Sequence, residues 1–255
     1  MDGLIYTAVS GMNASMQRQR MIASNMANSQ TIGFRAETMQ FMPQTLITPS
    51  NGENLEVRAM TSGMVKGAMM KAGSLTQTGR ELDLALAGDA MLTVQAPDGG
   101  EGYTRRGDLS VSASGLVQNG EGLPVIGENG PITVPLGSRI SIAPDGAVMA
   151  SNPQSPDQPP VKIERLKLAN WRGSKIEKDL NGLFRVPAEN GENGVLPLDD
   201  DARVMTGTLE QSNVNPSDVL VEMVEAQRLY DMRTKLVATA KELDEHGAQL
   251  MRLNT

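Results

Sequence analysis

The segment that most restricts how this chain can fold is its C-terminal one, where Leu229, Leu236, Leu243 and Leu250 recur every seven residues. Met232, Thr239, His246 and Leu253 follow three places after each, and Leu220, Met223 and Val224 extend the apolar face upstream. Such spacing keeps one apolar line on one side of an α-helix. Asn215-Pro216-Ser217-Asp218 marks the helix start with an N-cap, a proline at the first helical position and an acid in the first turn. About 36 residues rising ~1.5 Å each make a rod of roughly 55 Å, too long to lie against a small β-domain. The rod therefore needs a partner helix.

The other end of the chain offers one. Ile5, Val9, Met12, Met16, Ala23 and Met26 follow a four-three spacing broken only by Gln19, while Arg18 and Arg20 point elsewhere. This pattern predicts an amphipathic helix of about seven turns. The chain holds 17 methionines against an aromatic content of 3%. Unbranched Met side chains suit helix contacts that must adapt to several packing environments. Gly33, after the polar Asn25 and Asn28, supplies the permissive backbone that ends the helix or turns the chain.

Between the helices the periodicity changes. Residues 34–75 are punctuated by Pro43, Pro49, Asn51-Gly52, Gly63, Gly67 and Gly73, and read as an extended linker with short strands. From residue 76 short apolar or alternating runs predict β-structure: Leu82 to Leu86, Met91 to Val94, Leu109 to Val111, Ile132 to Val134 and Ile140 to Ile142. Asp98-Gly99, Asn119-Gly120, Asn129-Gly130 and Asp145-Gly146 are turn dipeptides that accept positive φ. The apolar phase of Val161 to Leu168 slips at Glu164-Arg165, which predicts a β-bulge. Residues 151–160, with four prolines, and 188–201, with Asn190-Gly191 and Asn193-Gly194, read as exposed loops. The expected class is α+β. Long N- and C-terminal helices pair as a coiled-coil-like layer and enclose an all-β central domain. The boundaries are 1–33 for the first helix, 34–75 for the linker, 76–200 for the β-domain and 201–255 for a connector and the second helix.

Chemistry is conspicuous by what is missing. A formal charge of −7 without a Lys/Arg cluster argues against nucleic acid as a partner. His246 is the single histidine and there is no cysteine, so a metal site would have to be built from carboxylates alone. The acidic run Asp199-Asp200-Asp201 lacks the alternation and glycine of a calcium loop. No phosphate-binding, dinucleotide-binding or nucleophile-elbow motif occurs, and Glu81/Asp83 sit on an alternating strand with no cleft marked around them. No enzyme and no cofactor is expected. The opening Met1-Asp2-Gly3 lacks the features of a Sec signal, and no run of 18 apolar residues predicts a membrane span.

Three blocks carry a resemblance to a known family. Ile22 to Arg35 contains Asn25-Met26-Ala27-Asn28 and Thr31-Ile32-Gly33-Phe34-Arg35. It resembles the signature of the flagellar rod and hook family, Ala-x-Asn-x-Ala-Asn followed by Thr-x-Gly-Phe-Lys/Arg. Gly79 to Asp89, continued by Gly102-Tyr103-Thr104-Arg105-Arg106-Gly107-Asp108-Leu109, is similar to the start of that family's β-rich domain. Leu209-Glu210-Gln211-Ser212-Asn213-Val214, with Glu222-Met223-Val224 and Ala226-Gln227-Arg228, resembles its C-terminal signature. The blocks stand in family order over nearly the whole chain. The opening Met1 to Ala8 and the length look most like the proximal-rod branch. One departure is visible: Gly88-Asp89-Ala90-Met91-Leu92 stands where the family commonly has Gly-Asp-Gly-Phe-Phe.

The resemblance implies a structural subunit of the bacterial flagellar basal-body rod, spanning the periplasm and exported by the flagellar apparatus without a cleaved Sec signal. The implied partners are copies of the chain, other rod proteins and that apparatus. Ile5, Val9, Met12, Met16 and Met26, with Leu229, Leu236, Leu243 and Leu250, are the expected assembly residues. Asn25, Asn28, Gly33, Phe34, Ser212, Asn213 and Val214 carry the signatures. A distal-rod protein of the same family and a soluble binding module, whose β-domain recognises a ligand and whose helices dimerise it, are the alternatives; an enzyme acting on cell-wall glycan is more distant.

Overall fold

The computed structural model describes residues 2–47, 56–154, 158–179, 181–189 and 192–253. The turns expected at Asn51-Gly52 and Asn190-Gly191, part of the 151–160 loop, and the side chains of Ile5, Asn193, Leu243 and Leu250 lie outside what is described. The architecture is α+β, with a helix at each end and a β-rich centre. Two compact units divide the chain. One contains residues 1–27, 37–67 and 215–255, and the other residues 28–36 and 68–214.

In the first unit, α1 (Asp2–Ala27) and α2 (Pro216–Leu253) are joined by a two-stranded sheet of β1 (Glu37–Ile47) and β2 (Glu56–Ala68). The stretch read as a linker with short strands thus holds two strands of 11 and 13 residues. The start of α2 follows its cap. Asn215 Oδ1 accepts the Ser217 N–H at 3.1 Å, and Asn215 Nδ2 donates to Asp218 Oδ2 at 2.8 Å. Gln19 of α1 reaches Ala226 and Gln227 of α2, and Arg233 reaches back to Gly11 and Ser15. Higher numbers on one helix meet lower numbers on the other, so the pair is antiparallel. Ala14, Ser15, Ile22, Val219 and Ala226 are buried.

The second unit opens with β3 (Leu75–Gln77), β4 (Leu84–Leu86), β5 (Ala90–Gln95) and β6 (Glu101–Thr104). In its main sheet β5 lies between Leu168–Asn170 and β6, and β6 is followed by Phe184–Glu189 and Glu177–Lys178. A second sheet orders Val161–Arg165, Ala147–Ser151 and Arg139–Ile142. Alternation along β5 separates two cores, as a strand's period of two requires. Leu92 and Val94 join Leu84, Leu109, Val148 and Leu166 on one side, while Met91 packs with Tyr103, Phe184 and Leu196 on the other. Met91 and Leu92 are both fully buried, so the departure from the family's Phe-Phe is filled by sulfur and aliphatic atoms.

Local expectations meet the structure with three adjustments. Gly99, Gly130 and Gly146 take positive φ, but at Asn119-Gly120 the positive φ falls on Gly122. There the buried Asn119 closes the turn instead, its Oδ1 accepting from Glu121 and Leu123 N–H groups at 3.0 and 2.9 Å. The bulge in Val161–Arg165 is real, but its extra residue is Ile163, because Val148 faces Glu164 and Met149 faces Lys162. Ile132 to Val134 contributes a single bridge, Thr133 to Leu116, with Pro131 just before it bridging to Ile126, rather than a continuous strand.

Candidate functional site

The chain leaves α1 through a series of tight turns. Thr31 N–H donates to the Asn28 carbonyl at 3.1 Å and Phe34 N–H to the Thr31 carbonyl at 3.2 Å. Gly33 between them takes φ +68°, and its N–H donates to the Glu210 carbonyl at 2.8 Å. A Cβ on Gly33 would lie 2.5 Å from the Arg105 carbonyl carbon, so only glycine allows this approach. Gly73 does the same opposite the C-terminal signature, where a Cβ would fall 1.9 Å from the Gln211 carbonyl oxygen.

These close approaches bring three charged side chains together inside the second unit. Arg35 Nη1 stands 2.6 Å from Glu210 Oε1, and Arg105 Nη2 stands 2.7 Å from Glu210 Oε2. The three are 2%, 3% and 1% exposed, in the order Arg35, Arg105, Glu210. Two guanidinium groups share one carboxylate, which leaves one buried positive charge in surplus. Backbone dipoles absorb it: Arg105 Nη1 donates to the Gly88 and Ala90 carbonyls at 2.9 and 2.5 Å, and Nη2 to the Leu86 carbonyl at 2.7 Å. Gly73 N–H completes the carboxylate at 2.9 Å. Burial pushes the Glu210 carboxyl up, but Arg105, Arg35 and the Gly73 N–H outweigh it and hold the group below the ordinary carboxylate range. Burial draws the Arg105 guanidinium down against the pull of Glu210.

Asn213 closes the same junction with its amide. Its Oδ1 accepts the Ala36 N–H at 2.7 Å, and its Nδ2 donates to the Met69 and Lys71 carbonyls at 2.7 and 2.8 Å. Its own N–H donates to the Phe34 carbonyl at 3.3 Å. Lys178 Nζ lies 3.5 Å from the centre of the Phe34 ring and donates to the Arg35 carbonyl at 3.3 Å. Ser212 Oγ accepts the Val214 N–H at 3.2 Å, and both residues are buried. Of the signature residues, Gly33, Phe34 and Asn213 therefore meet at one point, with Asn28, Ser212 and Val214 shaping the turns beside it. Asn25 serves the first unit. Its amide pairs both ways with the backbone of Glu37, at 2.8 and 3.1 Å, where β1 begins.

Arg35, Arg105 and Glu210 escape a reading by periodicity. Each lies inside a signature block, and a charged residue flanked by Gly-Phe, Tyr-Thr or Leu is the signal that was available. The expected assembly residues are distributed otherwise. Val9 and Met16 are exposed on α1 and Leu236 is 60% exposed on α2, while Met12, Met26 and Leu229 are half-buried. Among the described residues no helix is long and apolar enough to cross a membrane.

Three family profiles match the chain in the order of its sequence blocks. Residues 5–35 match "Flagella basal body rod protein", residues 85–150 "Flagellar hook protein FlgE/F/G D1 domain", and residues 205–250 "Flagellar basal body rod FlgEFG protein C-terminal". The chain is 40% identical to the flagellar basal-body rod protein FlgF of Salmonella typhimurium and 38% to that of Escherichia coli, covering 100% of each chain in both cases. It is 29% identical to FlgG of Bacillus subtilis, over 97% of this chain and 98% of that one. The chain belongs to the flagellar basal-body rod protein family. Within that family it is most like FlgF.

Proposed function

We propose that this protein is a non-enzymatic structural subunit of the flagellar basal-body rod. In this reading it polymerises through its terminal helices with copies of itself and with neighbouring rod proteins in the proximal segment, after passage through the flagellar export apparatus. The observation that carries the reading is the apolar surface left on the helices. On α2, Val221, Val224, Met232 and Leu236 are exposed by 53% to 61% of their surface. The contact with α1 is made instead through Ala226 and Arg233. Burying one such apolar side chain contributes ~1.5–3 kcal/mol. A chain that leaves this much apolar surface unpaired gains it back when neighbours cover it.

The buried Arg35–Glu210–Arg105 cluster fits the same role. It fixes the two segments from which the helices emerge in sequence onto the β-rich unit, so that load on either end reaches a folded body. Heterologous contacts between such subunits build open helical arrays. Deletion of residues 2–24, which spares Arg35, tests the reading: the β-rich unit should remain folded and soluble while the strain loses motility. Retained motility would sink the proposal. A stable, protease-resistant dimer of the isolated full chain that never enters rods would favour the binding-module alternative.

A further inference from the structure

The contact between α1 and α2 is not made by the residues that would give it the most apolar area. On α2 it is made at Ala226 and Arg233, seven residues apart, on a line that Val219 and Ala240 continue in sequence, with Val219 and Ala226 buried and Arg233 and Ala240 half-buried. Leu229 and Leu236 stand three residues further in each heptad, and Leu236 is exposed. Three residues turn an α-helix by about 300°, so the leucine line lies roughly 60° around from the contact line. Rotating α2 about its axis by that angle would bring Leu229 and Leu236 toward α1 in place of Ala226 and Arg233. Apolar burial alone favours the rotated pair.

Polar bonds across the contact favour the other. Arg233 Nη1 donates to the Gly11 carbonyl and to Ser15 Oγ. Gln19 Nε2 donates to the Ala226 carbonyl at 3.5 Å and to Gln227 Oε1 at 3.4 Å. The rotated arrangement loses these bonds and strips the Gly11 carbonyl and Ser15 hydroxyl of their guanidinium donor. A single polar side chain in a helix seam is known to select register and partner at some cost in stability. We propose that Arg233 is the specificity-determining residue of the assembly surface: it holds α2 in the rotation that leaves Leu229 only half-buried and Leu236 exposed, and keeps this leucine line for a second copy of this chain. The proposal rests on the assembly reading above. A second copy is the occupant to which the exposed surfaces point, because α1 presents a matching apolar line at Val9 and Met16 that its own α2 leaves open.

The chain has no cysteine, so Leu236→Cys introduces a single thiol whose maleimide reaction rate reports the rotation of α2. With Arg233 in place, the thiol in the soluble full-length chain should react fast. With Arg233→Leu it should react about tenfold more slowly, since reaction then needs local opening of the helix pair. Arg233→Gln, which keeps one donor, should fall between and serves if the leucine variant aggregates. In otherwise unaltered chains Arg233→Leu should keep its helix content and lose motility. Equal or faster labelling of the Leu and Gln variants, or full motility of Arg233→Leu, overturns the proposal. Leu236→Asp separates the two readings: motility retained by that variant refutes assembly through this line, whereas its loss together with unchanged labelling in Arg233→Leu refutes only the role of Arg233.

Discussion

Arg35 and Glu210, from opposite ends of the sequence, meet at 2.6 Å with both side chains almost wholly buried. Glu210 is the hub of this contact, since Arg105 draws on its other oxygen. Removing one member of a buried ion pair leaves an uncompensated charge, which costs ~3–5 kcal/mol. Glu210→Ala should therefore lower the unfolding free energy of the β-rich unit, measured by denaturant titration, by about that amount, more than Arg35→Ala does, because it strands two guanidinium groups rather than relieving the surplus of one. A smaller effect for Glu210→Ala than for Arg35→Ala would contradict this account of the cluster.

Acid should act through the same carboxyl. Its folded pKa lies below the ordinary 4.5, so its contribution is fully present above 4.5 and is lost as pH falls through the lower folded value. Unfolding midpoints measured from neutral pH downward should show no loss due to Glu210 until the solution is more acid than 4.5, and Glu210→Gln should flatten the decline below that point. An unchanged pH profile in Glu210→Gln would count against the assignment.

Gly33→Ala and Gly73→Ala should disrupt the junction, since each new Cβ meets backbone at 2.5 or 1.9 Å. Gly122→Ala is the contrasting case, with φ +81° but open space around the new methyl. Left-handed backbone alone costs ~1–2 kcal/mol, so Gly122→Ala should stay near that figure and the junction variants should exceed it. Thermal melts of the three proteins decide the order.

Asn213→Asp changes only the amide, but it places a carboxylate oxygen where Nδ2 donates to the Met69 and Lys71 carbonyls. These bonds are solvent-exposed, so losing them costs about 0.5–1.5 kcal/mol each, with repulsion added. Hydrogen exchange should show faster opening around Met69 to Lys71 in the variant. Protection equal to that of the unaltered chain would mean that the amide is not what holds the segment.

Much of this fold can be read locally. The cap Asn215-Pro216-Ser217-Asp218 marks the helix start locally, because Asn215 Oδ1 accepts the Ser217 N–H and Pro216 has no N–H to satisfy. The Val161 bulge announces itself through a slip in apolar phase, although its placement at Ile163 awaits the register with Val148 and Met149. Asn119-Gly120 misleads because the dipeptide has two uses. It can supply positive φ, but here Gly120 is small for another reason: a Cβ there would sit 2.0 Å from Asp108 Oδ2.

The amino-acid sequence by itself determined that both ends are helical, that the centre is β-rich, that apolar lines exist on the helices, and that glycine stands at residue 33. Those features depend on residues a few positions apart, whose backbone preferences and side-chain spacing act within one element. Only the tertiary structure decided that Glu210 lies between Arg35 and Arg105, and that Ala226 and Arg233 bond to α1 while Leu236 stays exposed. Charge pairing between distant segments leaves no periodic trace, and a heptad shows that a helix has an apolar line without saying which neighbour will cover it.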